Sequence, residues 1–250
     1  MLLRVKPLNL QQTRNIAKQK NRSWIPSLFG GGSKKAQDKD QGQVGYGHVV
    51  QVGDPVLRRV CQALDPQEVA NGGAFDLLQN LRTVLRKYDS VGISAPQIGI
   101  PARVSLIEVT EKTLDLWGPK VVEQQQMQQV DLRVLINPEV KVEDNAVLRF
   151  REGCTSFNGF SAVVPRFKKV TVSYLDEFGE AATWTVDGWT ARIVQHEVDH
   201  LDGKLYTDRM DAETLVFNYW KTVNKRRGDF KLGFGGVELR FSPFQPSQDV

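Results

Sequence analysis

Apolar residues recur at helical spacing in separate segments of the chain. Across 74–88 they fall on one face of a helix: Phe75, Leu78, Leu81, Leu85 and Tyr88. A second helix is predicted from about Asp187, a plausible N-cap, to Leu201, and Gly203 provides its stop signal. A third helix is predicted over 211–226.

Strand-like patterns occupy much of the chain between and after these helices. They predict strands at 103–109, 132–136, 139–143 and 146–150, and a hairpin of 168–175 with 181–186. The segment from Gly92 to Gly99 contains Pro96 and predicts a loop, and the Gln-rich 110–131 predicts a polar surface excursion. Strands preceding one long helix indicate an α+β fold, with small antiparallel sheets packed around that helix.

The net charge of +4 belongs to the N-terminal arm. Residues 1–37 contain eight Lys/Arg and no Asp or Glu, which leaves 25 of the 33 basic residues against all 29 acidic ones in the remainder. This composition is typical of an organelle transit peptide, although a solvated basic tail is the alternative. We predict a transit peptide and linker at 1–47, a catalytic domain at 48–227 and a tail at 228–250. The body offers no excess positive charge for nucleic acid, and no apolar run is long enough to cross a membrane.

Two of the three histidines lie one helical turn apart in the predicted second helix. His196 and His200 can therefore bind one metal ion from the same face, and Glu197 beside them can accept a proton from water. Two imidazoles leave a ligand to be found, because catalytic sites generally use three protein ligands. A chance His-Glu-x-x-His pattern is the alternative.

Three segments together resemble the signature of the peptide deformylase family. They read Gly-Ile-Ser-Ala-Pro-Gln-Ile-Gly at 92–99, Glu-Gly-Cys-Thr-Ser at 152–156 and Gln-His-Glu-Val-Asp-His-Leu-Asp-Gly at 195–203. Their order and spacing match the family, and the resemblance covers roughly 50–210. The segment 188–192 looks like the animal mitochondrial branch.

This resemblance implies Cys154 as the third metal ligand beside His196 and His200. The implied ion is Fe(II) in the cell, with Zn, Ni or Co as substitutes. Metal-activated water would attack the formyl carbon, with Glu197 as general base and then acid. Gln97 and the backbone N–H of Thr155 would stabilise the oxyanion.

The resemblance also implies how the substrate binds. An N-formylmethionyl peptide would lie extended between Gly92 and Gly153, and its methionine side chain would enter an apolar pocket. That pocket is expected to include Val91, Phe150, Trp189 and Ile193. The implied setting is the mitochondrial matrix, with nascent mitochondrial proteins as substrates. The mitochondrial ribosome is an expected partner, and a homodimer is one possible state.

Two other functions remain open at this point. A zinc endopeptidase would share the two-histidine helix but would leave Cys154 and Gln97 unexplained. A non-catalytic protein would need a closed structural metal site with a fourth ligand, for which His48 and Cys61 are the remaining candidates. A Cys61–Cys154 disulfide is possible in principle, although two cysteines do not make a disulfide framework.

Overall fold

The computed structural model describes residues 44–234 of the 250-residue chain. The predicted transit peptide up to residue 43, and the predicted tail from 235, lie outside these residues. The boundaries at 47 and 227 therefore stay predictions. Within 44–234, no helix is both long enough and apolar enough to span a membrane.

The described residues form short helices and long strands around one longer helix near the C-terminal end. The α-helices are α1 Pro66–Ala70, α2 Phe75–Lys87, α3 Glu111–Asp115, α4 Pro119–Gln124, α5 Gly188–Leu201 and α6 Trp220–Lys225. The strands are β1 Gly92–Ser94, β2 Val104–Val109, β3 Val130–Cys154, β4 Phe157–Leu175, β5 Ala181–Asp187 and β6 Val216–Phe217. Single 3-10 turns span Pro55–Arg58, Ala95–Ile98, Tyr206–Asp208 and Ala212–Thr214.

The strands form an antiparallel sheet in the order β1-β2-β3-β4-β5, and β6 pairs with the first part of β4. The predicted α+β class is confirmed, and the strands of the described residues join into one sheet rather than several small ones. The β3–β4 hairpin holds this sheet together, because its register runs from Ile136 paired with Leu175 to Cys154 paired with Phe157. Cys154 consequently lies at the turn end of the longest hairpin.

Strand β3 is continuous where the sequence pattern predicts three separate strands. Its pairing with β4 shifts register between Ile136 and Glu139 and twice more between Val142 and Val147. These irregularities coincide with the breaks in the apolar alternation, since a bulge changes which face a side chain occupies. At the first of them Asn137 adopts φ 52°, and its side-chain amide hydrogen-bonds both the N–H and the C=O of Leu64, at 2.9 and 2.8 Å.

Three further predictions need correction. The segment 92–99 is strand β1 followed by a 3-10 turn rather than a loop. The segment 110–131 is no polar excursion, because α3, α4 and the turn between them pack apolar side chains against the core. Those side chains are Leu114, Trp117, Val121 and Val122, followed in sequence by the buried Met127 and Val130. The segment 211–226 contains a 3-10 turn, β6 and the short α6 instead of one helix.

The predicted helices at 74–88 and 187–201 are confirmed as α2 and α5. Asp187 is the N-cap residue of α5 but makes no side-chain capping bond. Gly203 follows the helix at φ +71°, a left-handed conformation that glycine adopts without strain. The apolar face of α5 is fully buried at Ala191, Val194 and Leu201, so burial of this face fixes the opposite, histidine-bearing face near β3 and β1.

Candidate metal centre and catalytic site

Cys154, His196 and His200 come together where the end of β3 meets α5. Their ligating atoms all lie within 4.8 Å of one another, and Cys154 Sγ is 3.3 Å from His200 Nε2. The two histidine rings have centroids 5.0 Å apart, as expected for residues one turn apart on a helix. A thiolate and two imidazoles at this spacing can bind a single transition-metal ion.

Glu152 determines which nitrogen of His196 is available to a metal. Nδ1 of His196 lies 3.0 Å from Glu152 Oε2, and an ionised carboxylate can only accept a hydrogen bond. The proton of the neutral ring therefore sits on Nδ1, which leaves Nε2 as the free ligand atom. A carboxylate behind a ligating histidine is the usual device for orienting the ring and raising its basicity.

Two buried arginines hold Glu152 in the charged form. Arg166 donates to both carboxylate oxygens at 2.9 Å, and Arg192 donates to one of them at 2.6 Å. Arg192 also binds the carbonyls of Val164 and Leu148, at 2.9 and 2.8 Å. Although burial alone would raise the pKa of Glu152, Arg166 first and His196 second hold it well below its usual range. Glu152 is therefore an anion throughout the physiological pH range.

The charge network continues from Arg166 to the far side of α5. Arg166 binds Asp199, and Asp199 also accepts hydrogen bonds from Arg209 at 2.7 and 2.9 Å. Burial would lower the pKa of Arg166, but Glu152 and Asp199 raise it above its usual value. Each charge in this buried network has an opposite partner, which is the condition under which buried charges are tolerated.

The two imidazoles have opposite pKa shifts. Burial would lower the pKa of His196, but hydrogen bonds to Cys154 and Glu152 outweigh burial and raise it well above its usual value. Burial, with His196 as its charged neighbour, lowers the pKa of His200 well below its usual value. The surroundings therefore stabilise positive charge beside Cys154 while keeping His200 neutral. Both properties fit a bound cation, so the donor set of this structure fits a divalent metal.

Glu197 lies on α5 beside the ligand face and is almost completely buried. Its Oε2 accepts a hydrogen bond of 2.7 Å from Ser94 Oγ. Burial raises the pKa of Glu197 above its usual value, although the charge of His196 and the hydrogen bond from Ser94 partly offset that rise. A Cβ added at Gly92 would lie 2.8 Å from Glu197 Cδ and closer still to Oε1. Glycine at 92 thus provides the space that the carboxylate occupies.

The side chain of Gln97 is also buried and has a defined orientation. Its Oε1 accepts from the backbone N–H of Ser94 at 2.8 Å. Its Nε2 donates to the hydroxyls of Thr155 and Ser156, both at 3.2 Å, and lies 3.6 Å from Cys154 Sγ. Because Oε1 is anchored on β1, the amide donor is directed at the Cys154 end of β3. An amide N–H in that position is suited to binding an oxyanion.

The residues predicted for substrate binding are partly brought together. Trp189 and Ile193 are buried in one apolar cluster, and Val91 packs against it. Trp117 of the 110–131 segment contacts Trp189 edge-on, with ring centroids 6.2 Å apart. Phe150 is not among the residues of this cluster; its ring lies 5.3 Å from the Arg192 guanidinium. Gly153 directly precedes Cys154 and pairs with Ser161 across the hairpin.

Several site residues carry no role in the sequence prediction. Glu152 stands inside the second motif. Its position two residues before Cys154 does not predict its hydrogen bond with His196, which is 44 residues away in sequence. Ser94 likewise lies inside the first motif. Asp199 lies inside the third motif, and Arg166 lies outside all three. Among residues 44–234, the metal-ligand group contains neither His48 nor Cys61, and Cys61 and Cys154 are free thiols.

Comparison with known proteins gives a consistent result. The family model described as polypeptide deformylase matches residues 47–215. The human mitochondrial peptide deformylase is 43% identical over 179 residues, which cover 72% of this chain and 74% of that protein. Peptide deformylase 1A, chloroplastic/mitochondrial, of Arabidopsis thaliana is 35% identical over 214 residues, covering 86% and 76%. A Met-Ala-Ser-bound class I type b peptide deformylase from Acinetobacter baumannii superposes with a TM-score of 0.59 at 28% identity, covering 67% and 99%.

Proposed function

Because the chain belongs to the peptide deformylase family, we propose that Cys154, His196 and His200 hold its catalytic metal ion, with Glu197 and Gln97 acting on the substrate. The protein is a metal-dependent hydrolase that removes the formyl group from the N-terminus of nascent proteins. The observation that carries the assignment of roles is the meeting of one thiol, two imidazoles and a buried carboxylate at the junction of β3 and α5.

An ion held by Cys154, His196 and His200 would supply Lewis acidity that lowers the pKa of a water molecule in the site. Glu197 accepts the proton from the attacking water and delivers it to the leaving amine, which gives formate and a free N-terminus. The amide Nε2 of Gln97 donates to the developing oxyanion, and the backbone N–H of Thr155 is the second donor. The anchoring of Gln97 Oε1 on Ser94 supports this role, because a preorganised donor needs no reorientation during the reaction.

The substrate is an N-formylmethionyl peptide bound as an extended strand beside Gly92 and Gly153. Its methionine side chain contacts the cluster of Val91, Trp189 and Ile193. The Met-Ala-Ser peptide named with the Acinetobacter baumannii structure supports a short peptide of this kind. We place the reaction on nascent proteins in the mitochondrial matrix, at or near the mitochondrial ribosome. A homodimer is compatible with this function and is not required by it.

The thiolate and imidazole donors favour Fe(II) as the cellular metal, with Zn, Ni or Co able to replace it. The tests use the full-length chain purified anaerobically with Fe(II), and the assay is formate release from formyl-Met-Ala-Ser. Cys154→Ser should lose metal and activity together, and Cys61→Ser is its matched control with a buried thiol outside the ligand group. Glu197→Ala should keep about one metal per chain and lose at least about a hundredfold in kcat.

Each role has an outcome that contradicts it. Full metal content in Cys154→Ser would exclude this thiol as a ligand. Activity of Glu197→Ala near the wild-type value would exclude the general-base role. Cleavage of an unformylated internal peptide bond, without formate release, would favour the endopeptidase alternative.

A further inference from the structure

Ser94 contacts both groups to which the proposed function assigns proton transfer and oxyanion binding. Its hydroxyl lies 2.7 Å from Glu197 Oε2 and 3.0 Å from the Glu197 carbonyl oxygen. Its backbone N–H donates to Gln97 Oε1 at 2.8 Å. Ser94 is fully buried at the end of β1, and it is neither a metal ligand nor a residue that solvent can reach.

A second buried hydroxyl determines the direction of the hydrogen bond from Ser94. Ser105 Oγ lies 2.7 Å from Ser94 Oγ, on the neighbouring strand β2 and in direct register with it. Ser94 has one hydroxyl proton, and both Glu197 oxygens within reach are acceptors when the carboxylate is ionised. Ser94 therefore donates to Glu197 and accepts from Ser105. The order of donation is Ser105 to Ser94 to Glu197.

Steric contact with Gly92 also restricts the position of the Glu197 carboxylate. Gly92 leaves only the volume that the carboxylate fills, because an added Cβ would lie 2.8 and 2.9 Å from its Cδ and Cγ. Space on the β1 side therefore limits where the carboxylate can be, and the Ser94 hydroxyl selects its orientation within that space.

We propose that Ser94 is a positioning residue for Glu197, with Ser105 as its hydrogen-bonding support. This role rests on the proposed function of Glu197 as general base. The hydroxyls of Ser105 and Ser94 form a two-hydroxyl relay, a chain of two hydrogen bonds that ends on the Glu197 carboxylate. The relay holds Oε2 against Ser94, which leaves Oε1, the carboxylate oxygen nearest Gly92, as the one that would accept the proton of the attacking water. Through its backbone N–H, the same residue sets the orientation of Gln97. One position on β1 thus aligns the base and the oxyanion donor with each other.

The principal test compares Ser94→Ala with wild type in steady-state kinetics. Loss of a hydrogen bond to a charged group should lower kcat about tenfold. KM for formyl-Met-Ala-Ser should stay within about twofold, because the hydroxyl is buried behind the carboxylate and the backbone bond to Gln97 survives. Metal content should stay near one per chain. A crystal structure of the variant should show the Glu197 carboxylate rotated away from its wild-type position.

Ser105→Ala provides a graded comparison on the same relay. Ser94 keeps its own proton in this variant, so we expect a smaller loss in kcat, about threefold. In Ser94→Ala/Ser105→Ala the kcat should equal that of Ser94→Ala alone, since Ser105 acts only through Ser94. The double variant also leaves no orphaned hydroxyl at Ser105, so it should fold even if the single Ser94→Ala variant is unstable.

Three results would overturn the proposal. They are a kcat for Ser94→Ala within twofold of wild type, a loss of kcat that follows a loss of metal, and additive effects in the double variant. Glu197→Ala, assayed in parallel, distinguishes failure of the positioning role of Ser94 from failure of the general-base role of Glu197. If Glu197→Ala is inactive while Ser94→Ala is unaffected, the positioning role alone fails. If Glu197→Ala is active, the general-base role fails and the relay fails with it.

Discussion

Glu152 Oε2 and His196 Nδ1 lie 3.0 Å apart, and this contact decides which nitrogen of the imidazole can bind metal. Glu152 itself is held by two buried guanidinium groups, those of Arg166 and Arg192. The geometry of the proposed metal site therefore depends on a carboxylate that contacts His196 Nδ1 and not the proposed ligand atom Nε2.

Replacing Glu152 with glutamine should weaken metal binding. The amide keeps the size of the carboxylate but loses its charge, so His196 becomes a less basic ligand and Arg166 and Arg192 lose their shared anion. We expect metal affinity to fall about 10- to 100-fold and unfolding free energy to fall by about 3–5 kcal/mol. Chelator competition and chemical denaturation measure the two effects. Glu139→Gln, at an exposed position, should change neither, and unchanged chelator competition in Glu152→Gln would contradict the role of Glu152.

A methyl group at position 92 should impair catalysis without removing the metal. In Gly92→Ala the added Cβ would overlap the Glu197 carboxylate, which must then leave its position. We expect kcat to fall by about tenfold or more, with metal content near that of wild type. Gly233→Ala is the control, because a Cβ there meets nothing within 4 Å. Full activity of Gly92→Ala would show that Glu197 tolerates displacement.

The contact between Trp117 and Trp189 provides a test of the methionine pocket. Trp117→Ala removes the ring that lies edge-on to Trp189 and should loosen the cluster that Ile193 and Val91 share with it. We expect KM for formyl-Met-Ala-Ser to rise about fivefold, with a smaller change in kcat. The neighbouring Leu116 is 64% exposed, so Leu116→Ala should leave KM unchanged. An unaltered KM in Trp117→Ala would indicate that this cluster belongs to the hydrophobic core and does not bind the methionine side chain.

Cys61 should make stability depend on alkaline pH. Burial raises the pKa of its thiol from 9.0 to about 12, so between these values the unfolded chain loses this proton while the folded chain keeps it. Stability from this group is complete below about pH 9 and is lost as pH rises towards 12, at up to about 1.4 kcal/mol per pH unit. Urea unfolding of wild type and Cys61→Ala at pH 8 and pH 10.5 measures this effect. The difference in unfolding free energy between wild type and Cys61→Ala should be smaller at pH 10.5 than at pH 8. An equal difference at both pH values would contradict the raised pKa of Cys61.

The local parts of the fold are predictable from sequence because they follow periodic patterns. Helices α2 and α5 bury apolar residues at helical spacing, and that periodicity identifies them, although Phe75 of the predicted α2 face is 57% exposed. Strand β3 is not recognised as one strand, because its bulges interrupt the alternation at Asn137 and again near Asp144. Helices α3 and α4 are missed because α3 packs only Leu114, and α4 only Val121 and Val122, against the core, while the Gln-rich stretch that follows is mostly polar.

The candidate site shows the same division. His196 and His200 are recognisable from helical spacing alone, whereas the roles of Cys154 and Gln97 follow from the family resemblance. The buried network of Glu152, Arg166 and Asp199 could not be predicted, because each charge taken singly looks like an ordinary surface residue. Only the tertiary fold brings these charges into contact, and no short sequence pattern encodes that pairing.

The placement of Cys154 and His200 on different elements has a consequence for the lifetime of the protein. They are 46 residues apart in sequence, so an ion held by both ties β3 to α5 as a cross-link would. In the chain-entropy model, closing a loop of this length is worth about 4 kcal/mol, and metal-binding energy adds to folding energy in general. A chain that has not acquired its ion should therefore open more often and be degraded sooner. The supply of metal would then control the amount of this protein as well as its activity.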